Sequence, residues 1–292
     1  MEQYLARIGS QVDEELERLL PPADHFPPSI HEAMRYSVFA GGKRLRPILF
    51  VESGRLLGGD ERALLRMGSA LELFHTYSLI HDDLPALDND DLRRGKPTSH
   101  RAFGESTAIL AGDALLTLAF EVLSSPGPPS ELSKLRVIHE LAHALGTEGG
   151  MVGGQVIDLQ MAGQKVDSRT LEYIHSAKTG AFIRSAVRCG ALCAQAGDED
   201  LARLTTYGEK AGLAFQIVDD LLDVLGTAES LGKTVGKDNQ QHKATYPSVH
   251  GIEASQRMAS QLIEEACEVL EPYGPRAHIL QGIAQYVAVR KK

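Results

Sequence analysis

Residues 212–226 read GLAFQIVDDLLDVLG. At about 3.6 residues per turn, Gln216, Asp219, Asp220 and Asp223 fall at i, i+3, i+4 and i+7, on one stripe of a helix. Leu213, Phe215, Ile217, Val218, Leu221, Leu222, Val224 and Leu225 make its other sides apolar. A helix apolar on nearly every side is buried, so the polar stripe is expected to face an internal cavity. The ordinary reading of an acidic cluster is a solvated face, but these flanks leave little surface to solvate. Adjacent buried carboxylates stay ionised only where cations neutralise them, and oxygen-only ligands favour Mg²⁺ over softer metals.

A second acidic cluster stands far upstream, in SLIHDDLPALDNDDLRRG (78–95). Pro85 cannot continue a helix, so Asp82 and Asp83 are expected in its last turn, with Asp88 brought back by the loop. On an unbroken helix Asp82 and Asp88 would point about 120° apart, so the loop is required if they share a cation. Carboxylates at a helix C-terminus also oppose the helix dipole, a further reason to expect positive charge there. Basic residues follow at once, in Arg93-Arg94-Gly95-Lys96, and another group lies at Gly41-Gly42-Lys43-Arg44-Leu45-Arg46. Guanidinium forks match phosphate oxygens bidentately, and two basic groups imply two anionic ligands or two ends of one. Away from a cation site such residues would be read as ordinary surface.

Periodic apolar stretches dominate, aromatics are 5%, and strand-like alternation is scarce. The expected fold is all-α, with ten or more helices forming one large bundle around a central cavity. No Pro/Gly/Ser linker divides the chain, so residues 1–292 are expected to form one domain. Gly58-Gly59-Asp60 and the stretch from Pro272 to Pro275 separate successive helices.

The motifs together resemble those of the trans-isoprenyl diphosphate synthases. The matching segments are GGKRLRP (41–47), FHTYSLIHDDLPALDNDDLRRGKPTSH (74–100), GDALL (112–116), GGQVIDL (153–159), HSAKTGAF (175–182), FQIVDDLLDV (215–224) and LGKTVGKD (231–238). The DDxxxxD spacing at Asp82, Asp83 and Asp88 is similar to that of the bacterial short-chain branch and the plant-type geranylgeranyl branch. The resemblance implies about three Mg²⁺ ions, held by Asp82, Asp88 and Asp219, with Asp83, Asp220 and Asp223 as shared or supporting carboxylates. It implies that Lys43, Arg46, His75 and Arg94 hold the diphosphate of isopentenyl diphosphate. Arg93, Lys178, Lys233 and Lys243 would hold the allylic diphosphate, with Thr179 and Gln216 beside the allylic carbon. Asn89 replaces an Asp common in relatives, at a position that is no ligand in the family. The family is usually dimeric, so a homodimer is expected.

The resemblance also bears on product length. Tyr77 precedes Asp82 by five residues, so it sits about 7.5 Å down the helix from the carboxylates. In the family an aromatic residue there goes with a C15 product, so farnesyl diphosphate is expected, with geranylgeranyl (C20) or geranyl (C10) diphosphate as alternatives. A catalytically silent partner subunit would have lost acidic ligands, and a terpene cyclase would lack GGKRLRP and the second acidic motif. All these elements are present.

Two other motifs carry less. His139-Glu140-Leu141-Ala142-His143 fits a zinc-protease pattern, but no third ligand stands nearby in the sequence. Residues 226–234, GTAESLGKT, have five residues between the glycines where a P-loop has four. The net charge of −9 argues against nucleic acid as a partner. Three cysteines without a CxxC point to a reducing, cytoplasmic setting, with Cys189 and Cys193 read as core. No secretion-type leader and no run of about 18 apolar residues is read, so membrane insertion is not expected. The terminal Arg290-Lys291-Lys292 is read as a solvated tail.

Overall fold

The computed structural model describes residues 1–164, 166–225 and 245–289. Among them fourteen α-helices are joined by short loops, and the extended structure is one two-stranded ribbon. The helices are α1 (Glu2–Leu19), α2 (Pro28–Val38), α3 (Leu45–Leu56), α4 (Glu61–Asp82), α5 (Ser99–Phe103), α6 (Glu105–Ser124) and α7 (Glu131–Leu145). They continue with α8 (Met151–Met161), α9 (Ser168–His175), α10 (Ala181–Cys193), α11 (Asp198–Leu225), α12 (Tyr246–His250), α13 (Ile252–Glu268) and α14 (His278–Val289). The all-α expectation holds.

The core lies where α3, α4, α6, α10 and α11 pack together, with Phe50, Leu71, Phe74, Phe182 and Tyr207 fully buried. Asp60 caps α4 by accepting the N–H of Ala63 at 2.8 Å, and Gly58, at φ +77°, makes the turn before it. Cys189 and Cys193 are buried in the same core and carry free thiols. A second, smaller cluster joins α9, α11, α12 and α13 through Leu171, Ile217, Val218, Leu221 and Tyr246.

Helix α6 departs from the sequence reading on membrane-length apolar stretches. Within its 20 residues an 18-residue window has a mean hydropathy of 1.6, so the helix is long and apolar enough to cross a membrane. Scattered acids at Glu105, Asp113 and Glu121 hide this from a search for an uninterrupted run. Ala108, Ala111, Leu115 and Ala119 bury one face of α6, which packs against α2, α4 and α7. Ile109 and Leu110 stay exposed, as do Leu132 and Leu135 on the adjoining α7.

Candidate active site

Helix α4 ends at Asp82 with Asp83 as its C-cap, as the proline at 85 requires. The loop then doubles back: the Asp88 N–H donates to the Asp82 carbonyl at 2.9 Å, and the Asp90 N–H to that of Asp83 at 3.2 Å. Beyond it Leu92–Arg93 (β1) pairs with Lys96–Pro97 (β2), Leu92 opposite Pro97 and Arg93 opposite Lys96. Arg94 and Gly95 turn the ribbon, both at positive φ (+54° and +77°), as a two-residue hairpin demands.

The ribbon places its arginines differently. Arg93 grips Asp83 bidentately, Nη2 to Oδ1 at 2.6 Å and Nε to Oδ2 at 2.9 Å. Burial raises the Asp83 carboxyl against the pull of Arg93. Arg93, expected on a phosphate, therefore has its fork committed to Asp83. Arg94 donates to the Gly41 carbonyl and lies over Gly42, where a Cβ would come within 2.6 Å of Nη1. This contact docks the ribbon on the GGK loop. Arg46, over the Phe182 ring at 4.9 Å, is lowered by burial to about 10, opposed by Glu72 and Asp219. Burial and the charges of Arg46 and Arg94 hold His75 neutral, well below its usual range. Arg46, His75 and Arg94 thus lie within electrostatic reach of one another, and Lys43 is exposed.

Lys178 and Thr179 occupy a π-helical turn, Ser176–Gly180, between α9 and α10. Such wide turns recur at functional sites. Lys178 donates to Asp158 of α8 at 2.8 Å. Burial lowers its pKa, but Asp82, Asp158 and Asp88 together raise it further, so the ammonium stays charged. On α11, Asp219 is half-buried and within electrostatic reach of Arg46, while Asp220 is buried. Asp220 accepts the Tyr246 N–H at 2.9 Å and the Gln216 amide at 3.4 Å. Asp220 is thus a structural tie between α11 and α12. Asp223 lies half-buried one turn further on. Lys233, Lys243 and the stretch 226–234 lie outside the described residues.

Among the described residues no three His, Cys, Asp or Glu side chains converge closely enough to form a metal cage. The donor chemistry nevertheless fits a hard cation, since Asp82, Asp88 and Asp219 offer only oxygen. Gln155 of α8 donates its Nε2 to Asp82, and its Oε1 is buried without a partner. A hydrated cation brings the donor that this oxygen lacks. Gln155 and Asp158 join the site as residues that the sequence reading does not single out, although polar residues at i and i+3 within the apolar GGQVIDL are their signal. The HELAH motif resolves differently: Glu140 pairs with Arg188 at 2.7 Å, and both histidines are exposed.

The sequence description of the polyprenyl synthetase family matches residues 27–272. The chain belongs to that family. This polyprenyl synthetase is 50% identical over 290 residues to a dimethylallyltranstransferase of Fischerella ambigua, covering 98% of this chain and 83% of the relative. It is 45% identical over 296 residues to the farnesyl diphosphate synthase of Escherichia coli, covering 99% of each. A solved geranylgeranyl pyrophosphate synthetase from Pyrococcus horikoshii superposes with a TM-score of 0.89 at 31% identity, covering 99% of each chain. The polyprenyl synthetase fold described above is therefore that of the isoprenyl synthases, and the activity is prenyl transfer.

The site also carries a pH signature. His175, buried 3.7 Å from Asp220, is pushed down to about 4, chiefly by burial, with Lys178 adding and Asp158 opposing. Unfolded histidine takes its proton near 6.5, so below about pH 6.5 the unfolded chain holds the extra proton. Stability therefore falls as pH drops from about 6.5 toward 4, by about 2 kcal/mol at pH 5. Replacing His175 with phenylalanine should remove that share of the acid sensitivity, read as the difference between urea midpoints at pH 7 and pH 5. An unchanged difference would show that the imidazole is not held neutral.

Proposed function

We propose that the chain condenses isopentenyl diphosphate with dimethylallyl and then geranyl diphosphate, releasing pyrophosphate and stopping at farnesyl diphosphate. The observation that carries the reaction is the joining of Asp82, Asp88 and Lys178 in one electrostatic cluster, with Arg46 linking Asp219 to Arg94. Opposite charges so arranged suit a ligand that is polyanionic and brings cations with it. In this reading Asp82, Asp88 and Asp219 would hold about three Mg²⁺ ions, which would supply positive charge to the departing diphosphate and so ease ionisation.

The rest is the work of the chain's own groups. Lys178 takes the allylic diphosphate, and Arg93 adds charge from its seat on Asp83. Lys43, Arg46, His75 and Arg94 take the diphosphate of isopentenyl diphosphate, and a neutral His75 donates without adding to the crowded positive charge. Lys233 and Lys243 complete the allylic side. When the allylic C–O bond breaks, the oxygens of Thr179 and Gln216 stabilise the cation as dipoles and, being weak nucleophiles, do not trap it. The isopentenyl double bond attacks that carbon, and a proton leaves to the released diphosphate. Water has to be kept from the cation, which it would otherwise quench.

Product length rests on Tyr77. Its ring is 9% exposed and packs edge-on to His81 at 5.8 Å between centroids. A rigid ring below the carboxylates floors the hydrocarbon pocket, which favours C15 over the C20 alternative. Incubation with isopentenyl and dimethylallyl diphosphates plus Mg²⁺ should give pyrophosphate and a C15 alcohol after dephosphorylation. No condensation would favour a silent partner subunit, and chelation of the metal should stop turnover. In the same assay Tyr77→Ala should shift the main product to C20 or longer. A C15 limit in that variant would put the floor elsewhere.

The exposed apolar residues Ile109, Leu110, Leu132 and Leu135 support assembly as a homodimer through α6 and α7. Free thiols agree with a cytoplasmic setting. One family match spanning most of the chain supports a single domain.

A further inference from the structure

Helix α8 carries two polar residues one turn apart, Gln155 and Asp158, and each meets a different part of the site. Gln155 donates to Asp82 at the end of α4, and Asp158 accepts from Lys178 in the π-turn at 2.8 Å. The residue before Gln155 is in backbone contact with that turn, since a Cβ on Gly154 would fall 2.4 Å from the Lys178 nitrogen. Three adjoining points of α8 therefore touch either the carboxylate or the lysine. Lys178 has a flexible four-carbon stem, and Asp82 ends a helix where the chain is about to turn. Neither is fixed by its own element alone.

We infer that Gln155 and Asp158 are positioning residues, and that α8 is a bracket setting the separation of Asp82 from Lys178. This rests on the reading of Lys178 as the group that receives the allylic diphosphate. A carboxylate beside Lys178 keeps the ammonium charged and holds one rotamer, and the amide of Gln155 directs Asp82 Oδ1. Loosening either contact misplaces one end of the leaving group, for which a shift of about 1 Å can cost about 100-fold in rate.

The test is a double-mutant cycle read together with a binding measurement. Asp158→Asn should lower kcat by about 10- to 100-fold while leaving KM for isopentenyl diphosphate within about twofold. Asp158→Glu, which keeps the charge, should recover most of the loss. If Asp158 acts through Lys178, Asp158→Asn combined with Lys178→Met should be no slower than Lys178→Met alone. Titration calorimetry of inorganic pyrophosphate with Mg²⁺ should show binding about 10-fold weaker in Gln155→Met and in Asp158→Asn than in the unaltered protein. Multiplicative losses in the cycle, or unchanged pyrophosphate affinity in both variants, would overturn the bracket. Failure of the unaltered protein to condense prenyl diphosphates would defeat the functional reading instead, and the calorimetric comparison would still decide this one. Melting curves identify any variant that has lost its fold, and Gln155→Met, which conserves length, then carries the binding test alone.

Discussion

Glu72→Ala is expected to cost about 3–5 kcal/mol of folding stability, the usual price of leaving a buried charge without its partner. Glu72 is 2% exposed and accepts Nη1 of Arg44, itself 3% exposed, at 2.7 Å. Arg44 further donates to the Val38 carbonyl at 2.8 Å and to Asp13 at 2.7 Å. These contacts hold Arg44 at φ +53°, a left-handed conformation unusual for a residue with a side chain. The loop that carries Lys43 and leads into Arg46 is thus anchored from within by Arg44. The melting temperature of the alanine variant should fall by on the order of 10 °C, measured by circular dichroism. A loss below about 1 kcal/mol would mean that water reaches Arg44 once Glu72 is gone.

Asp219→Asn is expected to reduce kcat by about 10³-fold with little change in melting temperature. Asp219 is half-buried on α11 and is one of the charges that Arg46 senses. The amide keeps the shape and removes the negative charge that a cation needs. Its neighbour Asp220 should behave differently, because it accepts the Tyr246 N–H and an amide is a poorer acceptor there. Steady-state kinetics at saturating Mg²⁺ checks the first, and thermal melting separates the second. Activity above a tenth of the unaltered protein in Asp219→Asn would remove that residue from the machinery.

The period of α11 and the proline after Asp83 suffice to place both acidic clusters, because helix geometry and a missing N–H are local rules. Tyr77 falls on the same helix as Asp82 by the same rule, and its side chain is buried. The pairing of Arg93 with Asp83 is not legible in this way, since it depends on how a hairpin ten residues along folds back. The π-turn leaves no mark in Ser-Ala-Lys-Thr-Gly, and its close approach to Gly154 is a tertiary contact. Nor does sequence join Arg44 to Glu72, which meet through tertiary packing. Gln155 and Asp158 stand in a motif whose resemblance is plain, but their partners become evident only when α4, α8 and the π-turn are seen together.

The widened turn at 176–180 accommodates one residue more than an ordinary helical turn, so α9 and α10 differ in phase by about 100°. A chain shortened by one residue there would regain regular helical bonding. It would also rotate Leu171 and His175 away from Ile217, Val218 and Asp220. The irregularity is thus the joint that lets one continuous rod serve two neighbours, and trimming it would trade local regularity for a severed α9–α11 seam.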